Sequence, residues 1–283
     1  MNNTFNIKRF SLVMGKDFQE NWKRYGLQFL AMFGIIAVVI IFASDSIYKS
    51  LSHSFHRYAD YELLLFASVM FLGFGVVFAS TLMEPMRSKT KRTAFLMNPS
   101  SNLEKYVSRW LIVTVGYIIA FFAALWLADL LRVAIFSVRY PGVADVHMLD
   151  FSKLIAAERV SYGGEYVFFC ARFFGVWVGL FFLLQSICVL GSTFWEKVSF
   201  VKTFAASTVI VLLFILLARW TILIFYTDFN QFGNVLDSVF GKNTEMSENR
   251  LMMILTCTFA FFTLVNWTVA FFRFRESEII KRW

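Results

Sequence analysis

No phosphate-binding G-x-x-x-x-G-K-[ST] loop, H-E-x-x-H, G-x-S-x-G or C-x-x-C occurs in this sequence of 283 residues. Its two Gly-Lys pairs, Gly15-Lys16 and Gly241-Lys242, lack the preceding glycine and following hydroxyl that cradle a triphosphate and its metal. ATP binding in that mode is not expected, and no hydrolytic constellation is visible. The chain is therefore read as a non-enzyme without a cofactor of its own. Charge is scarce, at 16% of residues. No carboxylate lies mid-way along an apolar stretch, where a proton-driven carrier needs one. Cysteine is rare. Cys170, Cys188 and Cys257 are widely spaced inside apolar blocks and read as small core residues, not disulfides or ligands. His53 and His56 form an H-x-x-H with no fixed partner, so no metal site is expected. No repeat, linker or low-complexity tract divides the chain, and 1–283 is read as one transmembrane domain. The charged, mixed first 24 residues and the length of the first apolar block argue against a cleavable signal peptide.

What is present is hydrophobic surface: 58% of residues are hydrophobic and Phe alone occurs 36 times. A soluble domain of this size cannot hide so much apolar surface. The apolar residues gather in six blocks, about 25–44, 63–83, 110–130, 166–190, 204–226 and 251–272. Each is long enough to cross a hydrocarbon core of about 30 Å as a helix. In lipid a spanning segment of this kind must be helical, because bare backbone groups find no water there. An all-α integral membrane protein with six spans follows.

The net charge of +8 is not a nucleic-acid footprint. Segments 1–24, 85–109, 191–203 and 273–283 together hold 17 Lys and Arg. The alternate segments 45–61, 131–165 and 227–249 hold 7, over nearly the same length. Acidic residues run the other way, six against ten. The positive-inside rule places both termini in the cytoplasm, and an even number of spans agrees. The basic bias thus reports topology and headgroup attraction.

Ahead of the first span, Phe10, Val13, Met14, Phe18 and Trp22 recur at helical spacing while Lys8, Arg9, Lys16, Gln19, Glu20 and Lys23 fall elsewhere. This predicts an amphipathic helix over about 5–22, lying in the cytoplasmic interface. Phe229, Phe232, Val235, Leu236 and Phe240 suggest a second such helix on the outer side. Small-residue rows, Gly75/Ala79, Gly116/Ala120/Ala124/Ala128 and Gly175/Gly179, predict close helix packing. Gln185 and Asn266 read as interhelical hydrogen-bond donors. Asp129, Arg132, Arg172 and Arg219 fall in the outer leaflet and form a candidate polar cluster. The competing reading is snorkelling plus an Asp129–Arg pair that fixes packing.

The loop between spans two and three, Met86–Trp110, carries Arg87, Lys89, Lys91, Arg92, Lys105 and Arg109. Pro85 ends the second span. Ser101-Asn102-Leu103-Glu104 has the form of a capping box, so a fresh helix begins near Asn102 and runs into the third span. Pro99 discourages continuation of an earlier helix, and a short one is expected over Lys91–Met97. The loop is thus read as a structured helical hairpin.

Asn98-Pro99-Ser100-Ser101-Asn102-Leu103-Glu104-Lys105 resembles the L-P-x-S-x-x-E-[KR] loop of type-2 ATP-binding-cassette exporter permeases, particularly small bacterial ones, with Asn98 departing from the usual apolar residue. The layout of interfacial helix, six spans and inward termini is similar too. The resemblance implies a coupling helix that docks on a separate cytoplasmic ATPase subunit, where ATP and magnesium would be held. Thr93, Phe95, Leu96, Pro99, Ser101, Glu104 and Lys105 would form that contact, with the loop Gly191–Thr203 a lesser one. It further implies a homodimer or a heterodimer with a sibling permease, set in lipid of a bacterial inner membrane. Export of a lipid, peptide or drug-like amphiphile is the expected activity. The alternatives are a membrane scaffold or sensor binding a cytoplasmic partner, and a lipid-modifying enzyme using Asp129, Arg172 and Arg219.

Overall fold

The computed structural model describes residues 5–50, 56–86, 88–139, 147–151, 158–162, 165–169, 171–195, 198–225 and 244–277. Eight α-helices are seen among them: α1 Ile7–Ser50, α2 His56–Ala79, α3 Lys89–Leu96, α4 Asn102–Leu111, α5 Tyr117–Arg139, α6 Ala171–Phe194, α7 Ser199–Phe225 and α8 Thr244–Ser277. A 3-10 turn, Glu84–Met86, follows α2, and a π-helical turn, Ile112–Gly116, joins α4 to α5. Among the described residues, six helical stretches are long and apolar enough to cross a membrane. The expected amphipathic segment 229–240 and Cys170 lie outside the described residues.

Two features differ from the sequence reading. The helix expected over 5–22 is not separate: α1 runs unbroken from Ile7 to Ser50, 44 residues. No proline interrupts it, and its glycines at 15, 26 and 34 meet nothing that forces a bend. The second difference is a two-stranded antiparallel hairpin, β1 Glu158–Tyr162 with β2 Glu165–Phe169, pairing Tyr162 with Glu165. Gly163 and Gly164 separate the strands, a two-residue loop composition that suits a hairpin. The stretch 166–190 therefore starts as strand, and its helix begins only at Ala171.

The helices pack where small residues permit it. α1 lies along α5, with Met32, Ile36 and Ile40 buried against Ala124, Leu125 and Ala128. α6 packs most closely with α8, and Gly179 faces Phe259. A Cβ on Gly75 would stand 2.6 Å from the Phe181 ring. That glycine lets Phe181 stack on Phe71 with centroids 4.4 Å apart. Such close fit matters because lipid supplies no hydrophobic drive between helices. Polar links supplement it: Gln185 donates to the Thr114 hydroxyl in the π turn, and Asn266 donates to Ser186 Oγ at 3.0 Å. Both side chains bridge helices, as their isolation in apolar blocks predicts. By contrast, among the described residues α7 packs to any extent only against α6, and Val209 to Leu217 are all more than half exposed.

The contacts sort the connecting segments into two ends. The start of α1, the 84–109 loop, the α6–α7 corner and the end of α8 meet at one end, where Arg273 lies over the Phe194 ring and Phe95 meets Phe274. At the other, Asp45 pairs with Arg139 and Asp60 with His147.

Candidate functional site

The 84–109 loop is built from local signals. Ser88 caps α3, its hydroxyl accepting from the Lys91 amide at 3.3 Å. Arg92 turns back to donate to the Met86 carbonyl at 2.8 Å. Lys105 Nζ donates to the Leu96 carbonyl at 3.0 Å, tying the end of α3 to α4. Both halves of the capping box are present. Ser101 Oγ accepts from the Glu104 amide at 3.2 Å, and Glu104 accepts from the Ser101 amide at 3.0 Å. A cap of this kind stabilises by about 1 kcal/mol.

Longer-range contacts then fasten the loop on two sides. On one, Glu104 Oε1 accepts from the Asn6 amide at 2.7 Å and pairs with Arg9 at 3.2 Å. Arg109 pairs with Asp17 at 2.5 Å, and Arg24 pairs with Glu84. Asn21 and Tyr25 also donate to the Asp17 carboxylate. On the other side, Tyr106 donates to the Trp267 carbonyl at 3.2 Å, while its ring meets Phe271 and Phe274. Trp110 meets Trp267 edge to face, and Arg109 reaches over Phe95.

Burial and pairing oppose each other in the two carboxylates. Burial of Asp17 pushes its pKa above the usual carboxylate value, with Arg109 pulling it back. For Glu104 burial also raises the pKa, but the Asn6 and Ser101 amides and Arg9 together bring it below the usual value.

The first part of α1 is therefore turned in an unexpected sense. Arg9, Asp17 and Arg24 face protein, while Met14, Phe18 and Trp22 are exposed. The aromatic stripe is directed outward as an interfacial helix requires, but the polar face serves the loop as well as any headgroup. A polar cavity of about 280 Å³ lies between them, lined by residues including Lys16, Asp17, Arg24, Glu84, Lys91 and Arg109.

The residues expected to meet a partner divide into two groups. Thr93 and Pro99 are exposed, with Met97 and Leu103 beside them. Phe95, Leu96 and Ser101 are half-buried. Glu104 and Lys105 are buried, Glu104 bonded to the Asn6 amide and Lys105 to the Leu96 carbonyl, so both hold the loop to itself and to α1. Sequence reasoning missed Asp17, Arg24 and Glu84, which carry no motif. Gly191, in the lesser contact loop, lies so close to Thr203 that a Cβ would overlap it.

The polar cluster expected from Asp129, Arg132, Arg172 and Arg219 is assembled in part among the described residues. Asp129 and Arg132 form a buried pair at 2.7 Å. Arg132 donates to the His147 carbonyl at 2.8 Å, and Asp129 accepts from the Leu149 amide at 2.8 Å. His147 meets Asp60 at 3.0 Å. The pair thus straps segment 147–151 onto α5, which is the packing role. Arg219 is exposed on α7, and the Arg172 side chain lies outside the described residues.

No family model, curated protein or solved structure matches this chain.

Proposed function

We propose that the chain is the membrane-spanning permease subunit of an ATP-binding-cassette transporter, acting as an exporter in a bacterial inner membrane. The observation that carries the reading is the clamped loop. A capped helical hairpin, fastened to α1 by ion pairs and to α8 by rings, leaves Thr93, Met97, Pro99 and Leu103 outward. A loop held on two sides can transmit a push, whereas a slack one would absorb it. On this reading the loop end is cytoplasmic, as its basic residues require. A separate ATPase subunit docks on the exposed lip and binds ATP and magnesium. Two permease subunits, identical or siblings, assemble in the membrane. This chain contributes no hydrolytic chemistry, and a lipid, peptide or drug-like amphiphile is the cargo class.

Purification of the tagged chain from its own cells in mild detergent tests this. An ATPase subunit should copurify. Met97→Glu, on an exposed side chain, should release it or lower its activity at least tenfold while leaving the permease's melting temperature unchanged. Absence of any copurifying ATPase, or indifference to Met97→Glu, overturns the proposal.

A further inference from the structure

A cavity of about 310 Å³ lies among α2, α5 and α6, away from the clamped loop. Ala67, Phe121, Leu125 and Phe181 form its buried depth. Only Ser68 and Trp177 among its lining residues carry a polar side-chain atom. The Ser68 hydroxyl already donates to the Leu65 carbonyl at 2.7 Å. Water in such a space would lack the two to four partners it needs. The volume is at the small end for ligand sites, about 300–1,000 Å³, and suits one chain better than a bulky headgroup.

Two more observations name the occupant. Phe122 and Phe174, which line the cavity, are 46% and 41% exposed. Phe122 lies mid-way along its membrane-length stretch, Asn102–Arg139, and Phe174 opens its own, Phe174–Phe194, so a mouth between them faces sideways out of the bundle. Phe151 forms another wall, its ring 6.3 Å from that of Phe122. Phe151 ends the strap whose Leu149 and His147 are held by Asp129 and Arg132. The buried ion pair therefore fixes one wall of an otherwise featureless apolar space.

We infer that this cavity holds one acyl chain of a membrane phospholipid, entering sideways past Phe122 and Phe174, with Phe151 as the wall that the Asp129–Arg132 pair keeps in place. The inference needs no ATPase partner and stands or falls separately from the docking proposal.

Trp177, in the cavity wall, is a built-in reporter. The full-length protein in detergent is titrated with phosphatidylcholine carrying brominated chains, and separately with the free brominated fatty acid. The quenching owed to Trp177 is taken as the difference from Trp177→Phe. It should saturate at one phospholipid per chain. Ala67→Phe, which fills the cavity, should weaken it tenfold or more, while Val211→Phe on the exposed face of α7 should not. If Ala67→Phe gives no monodisperse protein, Val178→Phe fills the space from another wall and must give the same loss. Quenching that persists in the filled variants, or that never saturates, means ordinary surrounding lipid and overturns the inference. Saturation by the fatty acid alone overturns the phospholipid assignment.

Discussion

Asp17 and Arg109 meet at 2.5 Å between the start of α1 and the end of α4, each side chain only 11% exposed. The pair is one of three that run along the same face of α1, with Arg9–Glu104 before it and Arg24–Glu84 after it. Removing one partner of a buried pair strands the other charge, at a cost of about 3–5 kcal/mol. Asp17→Ala should therefore destabilise the protein in detergent by about that much. The reversed double variant Asp17→Arg/Arg109→Asp should recover part of the loss. Thermal unfolding of both singles and the double measures the coupling, and additive losses would show that the contact is not a stabilising pair.

Glu104 should make the α1–loop contact acid-sensitive. Its pKa is lowered in the folded chain, the backbone amides and Arg9 outweighing burial. A lowered carboxylate contributes stability that is present above its unfolded value and is lost as pH falls through the folded one. Corrected for its intrinsic slowing in acid, amide exchange at residues 6–20 should show protection that falls as the pH drops below the usual carboxylate range. In Glu104→Gln the protection should already be low at neutral pH, and the acid-induced loss owed to Glu104 should vanish. An unchanged wild-type profile would contradict this.

At the far end, Asp129→Asn should take away the carboxylate that Arg132 meets at 2.7 Å. A loss of about 3–5 kcal/mol is expected. The strap 147–151 should also loosen, because the Leu149 amide donates to the same carboxylate. Hydrogen exchange at Met148 to Phe151 reads the second effect separately from the first. Slow exchange there in the variant would mean that the strap is held by other contacts.

Gly75→Ala places a methyl 2.6 Å from Phe181. Overpacking of this kind costs about 1–3 kcal/mol. Phe181→Leu in the Gly75→Ala background should relieve it, since the smaller side chain vacates the space. Equal melting temperatures for Gly75→Ala and wild type would show that the ring simply moves aside.

The spans and the Ser101–Glu104 box were legible because both are local: a run of apolar residues, and two polar ones three apart. The contacts of Asp17 were not. Helical spacing tells which side chains share a face, but not what the face meets, and Asn6 and Glu104 are separated by 98 residues. Nor were the further partners of Glu104 and Lys105 visible, Asn6 and Arg9 for the one and the Leu96 carbonyl for the other. A charged residue in a basic loop looks solvated until its partner on another helix is seen. The hairpin had a visible Gly163-Gly164 signal, but its second strand, EYVFF, overlaps the apolar run that continues into α6. Hydrophobicity alone does not separate strand from helix there.

The π turn at Ile112–Gly116 has a mechanical consequence. α4, the turn and α5 form one rod of 38 residues, Asn102–Arg139, and Gln185 grips it at Thr114. At about 1.5 Å per residue, the arm below that grip is roughly 18 Å and the arm above it roughly 38 Å. A beam pivoted there would swing its long arm about twice as far as its short one, and in the opposite direction. Small tilts at Ser101 would then reach Arg132 magnified.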